Sequence, residues 1–271
     1  MKSGVINTTT AGFFSNFRGT VSSFKKCEEL GLTPVVKWGK QSPYYESKYG
    51  ENVWDYYFDP LTNDSSDEIP VNQDFSWKNL SHTRKKMYEL IRKYVIVKKE
   101  ITDEVNSFYE NNFKGKNVLG VHIRLTDKST ASTEKDTIVS SEKYIKHIDS
   151  YLKNNDNSVV FVCTDSTDYI NDLKSLFGDR LLMKDDTLRT SGVKSIHHHT
   201  SGNGFLKGKE VLIDMLLLSK CDFLIKGISN VSLCTLFFNK GLEHFNIASY
   251  YNNDTREDFI ESTLIKKNEN T

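Results

Sequence analysis

The chain has 271 residues, with 36 Lys and Arg against 36 Asp and Glu, and 37% of it is hydrophobic. That is enough apolar material for one large domain or two lobes and too much for a disordered chain, while a zero net charge removes the electrostatic basis for nucleic-acid binding. The longest apolar run, Val211 to Leu218, is broken by Asp214 and falls far short of the roughly 18 residues that span a bilayer.

Val5-Ile6 opens the chain as a strand before the polar loop Asn7 to Ser15. Phe17, Val21, Phe24, Cys27 and Leu30 then recur at helical spacing, and Gly31 is placed to stop that helix. Pro34 to Trp38 reads as a second strand, completing a βαβ unit. Residues 39–80 carry Pro43, Pro60, Pro70 and the acidic loop Asn63 to Glu68, which predicts a surface excursion with little regular structure. Helical spacing returns at Met87, Leu90, Ile91 and Tyr94, pauses at Val95-Ile96-Val97, and resumes with Ile101, Val105 and Phe108.

The second half opens with the apolar run Lys116 to Arg124, a buried parallel strand. A helix over 141–152, a strand over 159–163, a helix over 168–177 and the strand-like Leu181 to Met183 follow. Beyond the Gly/His-rich loop 191–208 come a helix over 209–219, a strand over 223–225 and a helix over 231–239. Alternation of this kind predicts a doubly wound parallel sheet. Cys27, Cys163, Cys221 and Cys234 are widely separated with no C-x-x-C, so they read as buried thiols of a reducing compartment, and Met1 to Asn7 turns polar too soon for a signal peptide. The expectation is a soluble, cytoplasmic protein.

Ligands of open α/β sheets sit beyond the carboxyl ends of the strands. Alternation places His122 and Arg124 on one face of a strand end that opens into Asp127 and Lys128, a cluster suited to a diphosphate or to an Arg124–Asp127 ion pair closing a turn. Asp165 follows the apolar strand and fits a nucleobase or ribose, although Thr164, Ser166 and Thr167 fit helix capping equally. Asp214 lies inside an otherwise apolar helical run, where burial would demand a partner. Ser229 and Asn230 precede a helix, as phosphate ligands or as N-caps. Residues 44–58 hold seven aromatics, among them Tyr44, Tyr45, Trp54 and Tyr57, which either fill a core or stack on sugar rings. His197-His198-His199 cannot all face one ion, and no D-x-D, Walker loop, G-x-G-x-x-G or G-x-S-x-G occurs, so no metal and no bound cofactor is expected.

Three motifs taken in order carry a resemblance: Gly120 to Lys128, then Val162-Cys163-Thr164-Asp165, then Val211-Leu212-Ile213-Asp214 with Ser219 to Leu224. Their order and spacing resemble the α-1,6-fucosyltransferase and nodulation fucosyltransferase superfamily over about residues 115–240, and Gly12 to Asn16 resembles its glycine-containing first loop. The resemblance implies two Rossmann-like lobes of the GT-B type, with parallel sheets and helices on both faces. It implies residues 1–112 as an N-terminal lobe on the acceptor side and 113–271 as the lobe binding a nucleotide-sugar donor. It also implies inverting, metal-independent transfer of a sugar, first of all L-fucose from GDP-fucose, to a glycan hydroxyl. Alternatives on the same scaffold are a UDP-pentose donor and a non-catalytic nucleotide- or glycan-binding protein.

Carried over by position, Arg124 holds the diphosphate and the leaving-group charge, His122 and the catalytic candidate Asp127 contact the nucleotide or orient Arg124, and Lys128 lies on the donor side. Asp165 reads the base, Asp214 supports the site, and Ser229 and Asn230 contact phosphate. Gly12, Ser15 and Asn16 reach the donor from the other lobe, and Glu134 is the general base. The sequence departs from the family pattern at Leu125, where a second Arg is usual, and the membrane anchor and stem of eukaryotic members are not expected here.

Overall fold

The computed structural model describes residues 2–61, 67–73, 84–124, 139–167, 169–184 and 203–252. It divides into two compact units, the first holding residues 2–103 and 203–212 of those described, the second 104–184 and 213–252. Every strand pairing within a sheet is parallel, as the alternating pattern predicted.

In the first unit β1 (Lys2–Asn7) lies between β2 (Thr33–Lys37) and β3 (Asp67–Pro70). Ser3 to Ile6 are buried, and α1 (Phe13–Leu30) packs most of its surface into the core. Gly31 ends α1 at φ 64°, a left-handed conformation that costs glycine nothing. Its N–H donates to the Glu28 carbonyl at 3.2 Å and the Leu32 N–H to the Cys27 carbonyl at 2.9 Å, a Schellman closure. Glu28 then ties α1 to α2 (Arg84–Tyr94), accepting from Lys93 Nζ at 2.8 Å, Lys86 Nζ at 3.1 Å and the Tyr94 hydroxyl at 3.2 Å. Hydrogen bonding from Lys93, ahead of the Lys86 bond, holds its carboxyl below the usual carboxylate range.

The predicted surface excursion is corrected on two counts. Residues 67–70 form β3, an edge strand that tolerates Pro70 because the outer side of an edge needs no ladder donor. Six residues of the stretch 44–58, Tyr44, Val53, Trp54, Tyr56, Tyr57 and Phe58, are buried in the core of the first unit, while residues 47–51 are exposed. Phe13 meets Trp38, Tyr44 and Tyr57 edge-on with centroids 5.1–5.5 Å apart, and Trp54 lies 4.3 Å from Phe58. Burying each such ring contributes roughly 1.5–3 kcal/mol. The polar edges are satisfied too, the Trp38 indole donating to Thr20 Oγ1 at 3.1 Å and the Tyr57 hydroxyl to the Phe205 carbonyl at 3.0 Å.

The second unit holds β4 (Asn117–Ile123), β5 (Ser158–Thr164), β6 (Leu181–Leu182), β7 (Phe223–Lys226) and β8 (Glu243–Asn246) in the order β6-β5-β4-β7-β8. One face packs Leu119, Val121, Ile123, Val160, Val162 and Ile225 against Tyr144, Ile148 and Leu152 of α4 (Ser141–Asn154), Leu173 of α5 (Ile170–Phe177) and Ile247 of α8 (Ile247–Asn252). On the other face Phe161 meets Phe113 at 5.1 Å just beyond α3 (Lys99–Asn112), and a methyl at Gly120 would stand 3.2 Å from Leu218 of α6 (Gly204–Leu218). This face also meets α7 (Asn230–Phe238) through Ser232. Strand β8 and helix α8 were not foreseen, and α6 starts at Gly204, inside the predicted loop 191–208. All four cysteines are buried and free, as read from their spacing.

Gly204 opens α6 directly over backbone, because a Cβ there would stand 2.8 Å from the Tyr44 carbonyl carbon and oxygen. Gly204→Ala is therefore expected to destabilise the protein by about 1–3 kcal/mol through overpacking, read as a lower urea midpoint at unchanged slope.

Candidate functional site

The carboxyl ends of β4, β5 and β7 bring polar residues together at one edge of the second unit's sheet. His122 is in register with Cys163 on β5 and Lys226 on β7, and all three are buried. His122 Nδ1 lies 3.0 Å from Ser232 Oγ, whose hydroxyl also reaches the Gly227 carbonyl at 3.3 Å. A hydroxyl has one proton: given to Gly227 it leaves Oγ to accept Nδ1–H, and only that arrangement admits a protonated ring. Ser232 thus holds the His122 ring in place through Nδ1.

Arg124, half-buried, follows β4 directly. Asp165, also half-buried, follows β5, where Thr164 Oγ1 accepts from the Ser166 N–H at 3.3 Å. Asp214 is half-buried on α6 rather than sunk in the core, and its carbonyl accepts the Cys163 thiol at 3.9 Å, which sets that turn of α6 beside the end of β5. Ser229 caps α7 by accepting the Val231 N–H at 3.2 Å, so the capping use of this residue is realised. The Asn230 Oδ1 beside it is buried with no hydrogen-bond partner, an acceptor left over at the N-terminus of α7. Sequence reasoning missed Ser232 and Lys226; the available signal for Lys226 was a charge ending the apolar run Phe223-Leu224-Ile225.

In the first unit the expected donor contact through Asn16 is corrected. Its side chain is buried, with Oδ1 accepting from Thr9 N at 2.8 Å and Thr9 Oγ1 at 3.0 Å, and Nδ2 donating to the Ala11 carbonyl at 2.8 Å and the Thr9 carbonyl at 3.2 Å. Four bonds exhaust an amide, so Asn16 shapes the loop and has no capacity for a ligand. Gly12 stands at the N-cap of α1 with extended backbone and Ser15 is half-buried in the first turn. The Phe13 N–H there donates to the Tyr44 hydroxyl at 2.9 Å.

The aromatic acceptor candidates are also corrected. Tyr44, Trp54 and Tyr57 are core residues, and burial pushes the Tyr57 phenol far above its ordinary range. Tyr45 is half-buried and its hydroxyl donates to Glu51 Oε1 at 3.1 Å. Asp127, Lys128 and Glu134, with the three adjacent histidines, lie outside the described residues. Among those described, no helix is long and apolar enough to cross a membrane.

The model of the nodulation protein Z (NodZ) family matches residues 30–247. The chain belongs to this family. With it, the chain is a fucosyltransferase-like glycosyltransferase. Its fold is similar to the selenomethionine form of fucosyltransferase NodZ from Bradyrhizobium, at TM-score 0.59 and 18% identity, over 89% of this chain and 93% of that one. It is similar to NodZ alpha-1,6-fucosyltransferase soaked with GDP-fucose, at TM-score 0.56 and 18% identity over 86% and 91% of the two chains. A mutant of Arabidopsis thaliana FUT1 in complex with GDP matches at TM-score 0.58 and 13% identity over 94% and 72%. The parallel sheets flanked by helices are those of the GT-B class expected from the motifs. No protein of curated function matches the sequence.

If Asn16 organises the loop, Asn16→Ala strands several buried partners and lowers stability by roughly 2–4 kcal/mol. Denaturant unfolding checks this. A ligand-contacting surface amide would shift it by less than about 0.5 kcal/mol.

Proposed function

We propose that this NodZ-family protein transfers L-fucose from GDP-fucose to a hydroxyl of a glycan acceptor, with inversion and without a metal. The observation that carries the reading is the polar end of β4, where His122 is fixed by Ser232 at 3.0 Å and Arg124 follows two residues later. The NodZ structure soaked with GDP-fucose and the FUT1 complex with GDP supply the donor class by similarity of fold.

The reaction is a single displacement. The acceptor oxygen attacks the anomeric carbon, the bond from that carbon to the β-phosphate oxygen breaks, and GDP leaves carrying the bonding pair. The negative charge that grows on the phosphate falls to Arg124, whose planar guanidinium suits two phosphate oxygens at once. His122 adds a ring group beside it, and the N-terminus of α7, with Ser229 and Asn230, offers backbone N–H groups to the same anion. Asp165 accepts from base or ribose and Asp214 supports the floor of the site. Asp127 and Lys128 would contact the nucleotide, and Glu134 would receive the acceptor proton. The lobe on the acceptor side is the first unit, and the absence of any D-x-D supports a mechanism in which protein cations replace a metal.

Arg124→Ala should cost on the order of 100-fold or more in turnover with the fold intact, as for loss of a principal transition-state donor. GDP release from GDP-fucose in the presence of glycan acceptors measures it, and wild-type turnover in a folded variant would sink the assignment. Activity should persist in EDTA; loss on chelation with recovery on adding Mn²⁺ would show that a metal is required.

A further inference from the structure

Ser232 and His122 are both buried, and a hydroxyl serves the ring in a way that neither a carboxylate nor a carbonyl in its place could. Ser232 Oγ lies 3.0 Å from His122 Nδ1 and 3.3 Å from the Gly227 carbonyl. When Nδ1 is bare, the hydroxyl donates to it and the proton of the neutral ring sits on Nε2. When Nδ1 carries a proton, the hydroxyl turns to Gly227 and its oxygen accepts from the ring. Both neutral tautomers therefore reach the same charged state, Nδ1–H on Ser232 Oγ and Oγ–H on Gly227, with no heavy atom moved. A carbonyl would fit only a protonated Nδ1, and a carboxylate would favour the charged ring at all times.

Cys163 of β5 and Lys226 of β7 flank the ring in register, on the face where it meets α7. Arg124 follows it at the exit of β4, Asp165 follows β5, and Asp214 of α6 stands beside the end of β5 through its carbonyl at Cys163. Over Asn230–Phe238 helix α7 brings no charged side chain, only the Cys234 thiol. A buried imidazole takes a charge at a cost unless an anion arrives to face it. On the nucleotide-sugar reading, on which this inference rests, that anion is the diphosphate of the donor. We infer that Ser232 is the positioning residue of a proton-linked donor site: His122 takes up a proton as the diphosphate binds, and the Ser232 hydroxyl holds the ring in one place in both charge states. The proton comes from water or buffer, adds to a ring nitrogen and breaks no bond of the protein or the donor. Because binding takes up a proton, the affinity for GDP falls as the pH rises.

The test reads the charge of the His122 ring by nuclear magnetic resonance of isotope-labelled histidine nitrogens, assigned with His122→Gln, beside calorimetric titration with GDP. At about pH 7.5 the terminal phosphate of GDP has lost nearly all of its last proton, so a proton taken up belongs to the protein. The expected result is a neutral ring in the free protein, charged in about half or more of the molecules once GDP saturates the site, and unchanged by guanosine, which brings no diphosphate. The GDP affinity then falls about threefold or more per pH unit near neutrality. In Ser232→Ala a charged ring leaves a buried Nδ1–H unpaired, so GDP should no longer charge it and the pH dependence should flatten, whereas Ser232→Thr keeps the hydroxyl and the wild-type response. A His122 ring of unchanged charge with GDP bound, or one charged equally by guanosine, would overturn the inference. So would a wild-type response in Ser232→Ala, or a weakening there that is the same at every pH, the mark of a purely structural serine. If Ser232→Ala does not fold, Ser232→Cys takes its place under the same criteria, and failure of both to fold would assign the serine to stability and overturn the inference as well. Failure of the wild-type protein to bind GDP would overturn the donor reading itself, which separates the two outcomes.

Discussion

The second unit depends on one constraint, the parallel pairing of β4 with β5 on one side and β7 on the other. Parallel strands run with their carboxyl ends together, so whatever polar residues end each strand are delivered to one edge of an apolar sheet. The register of His122 with Cys163 and Lys226 turns that generality into a specific edge. Below it, Gly120 has no side chain because Cys221 Sγ would stand 2.9 Å from a Cβ there, and α6 and the following turn close tightly over the strand. The polar edge is held to its shape by packing beneath it.

Burying polar groups at that edge has to be offset by partners, and the structure shows two kinds of solution. Ser229 and Thr164 spend their oxygens on the backbone of their own turns, which fixes the loops. The Ser232 hydroxyl instead reaches the His122 ring and the Gly227 carbonyl, which fixes the orientation of the imidazole. The Asn230 amide oxygen is left over.

The first unit solves a different problem. Among the described residues its sheet has three strands, β2-β1-β3, and the outer strand β3 is exposed along its whole length. The missing apolar volume is supplied by the aromatics of 44–58, which wrap Phe13 and Phe17 of α1. The Tyr44 hydroxyl at the Phe13 N–H and the Asn16 amide bonded to the loop before it then set where α1 starts. Loop, helix start and core are one cooperative piece, which is why residues that look like ligand contacts by position serve as scaffold.

The sequence by itself determined the α/β class, the parallel pairing and the strand-end positions of His122, Arg124, Asp165 and Ser229. Each of these follows from local periodicity and from one-dimensional order. The same order carried the family resemblance that the NodZ match supports. What local pattern does not encode is which neighbour a side chain meets. An aromatic-rich stretch reads alike whether it stacks on a sugar or on Phe13, and Asn16 reads alike as a ligand contact or as a helix amide saturated by the preceding loop. Strand β3 escaped notice because Asp67-Glu68-Ile69-Pro70 has no apolar alternation; its pairing with β1 comes from a partner about 65 residues away along the chain. Lys226 was legible only as a charge at the end of a run. Its burial, and its place opposite His122, come from the register of two strands about 100 residues apart, which only the tertiary structure fixes.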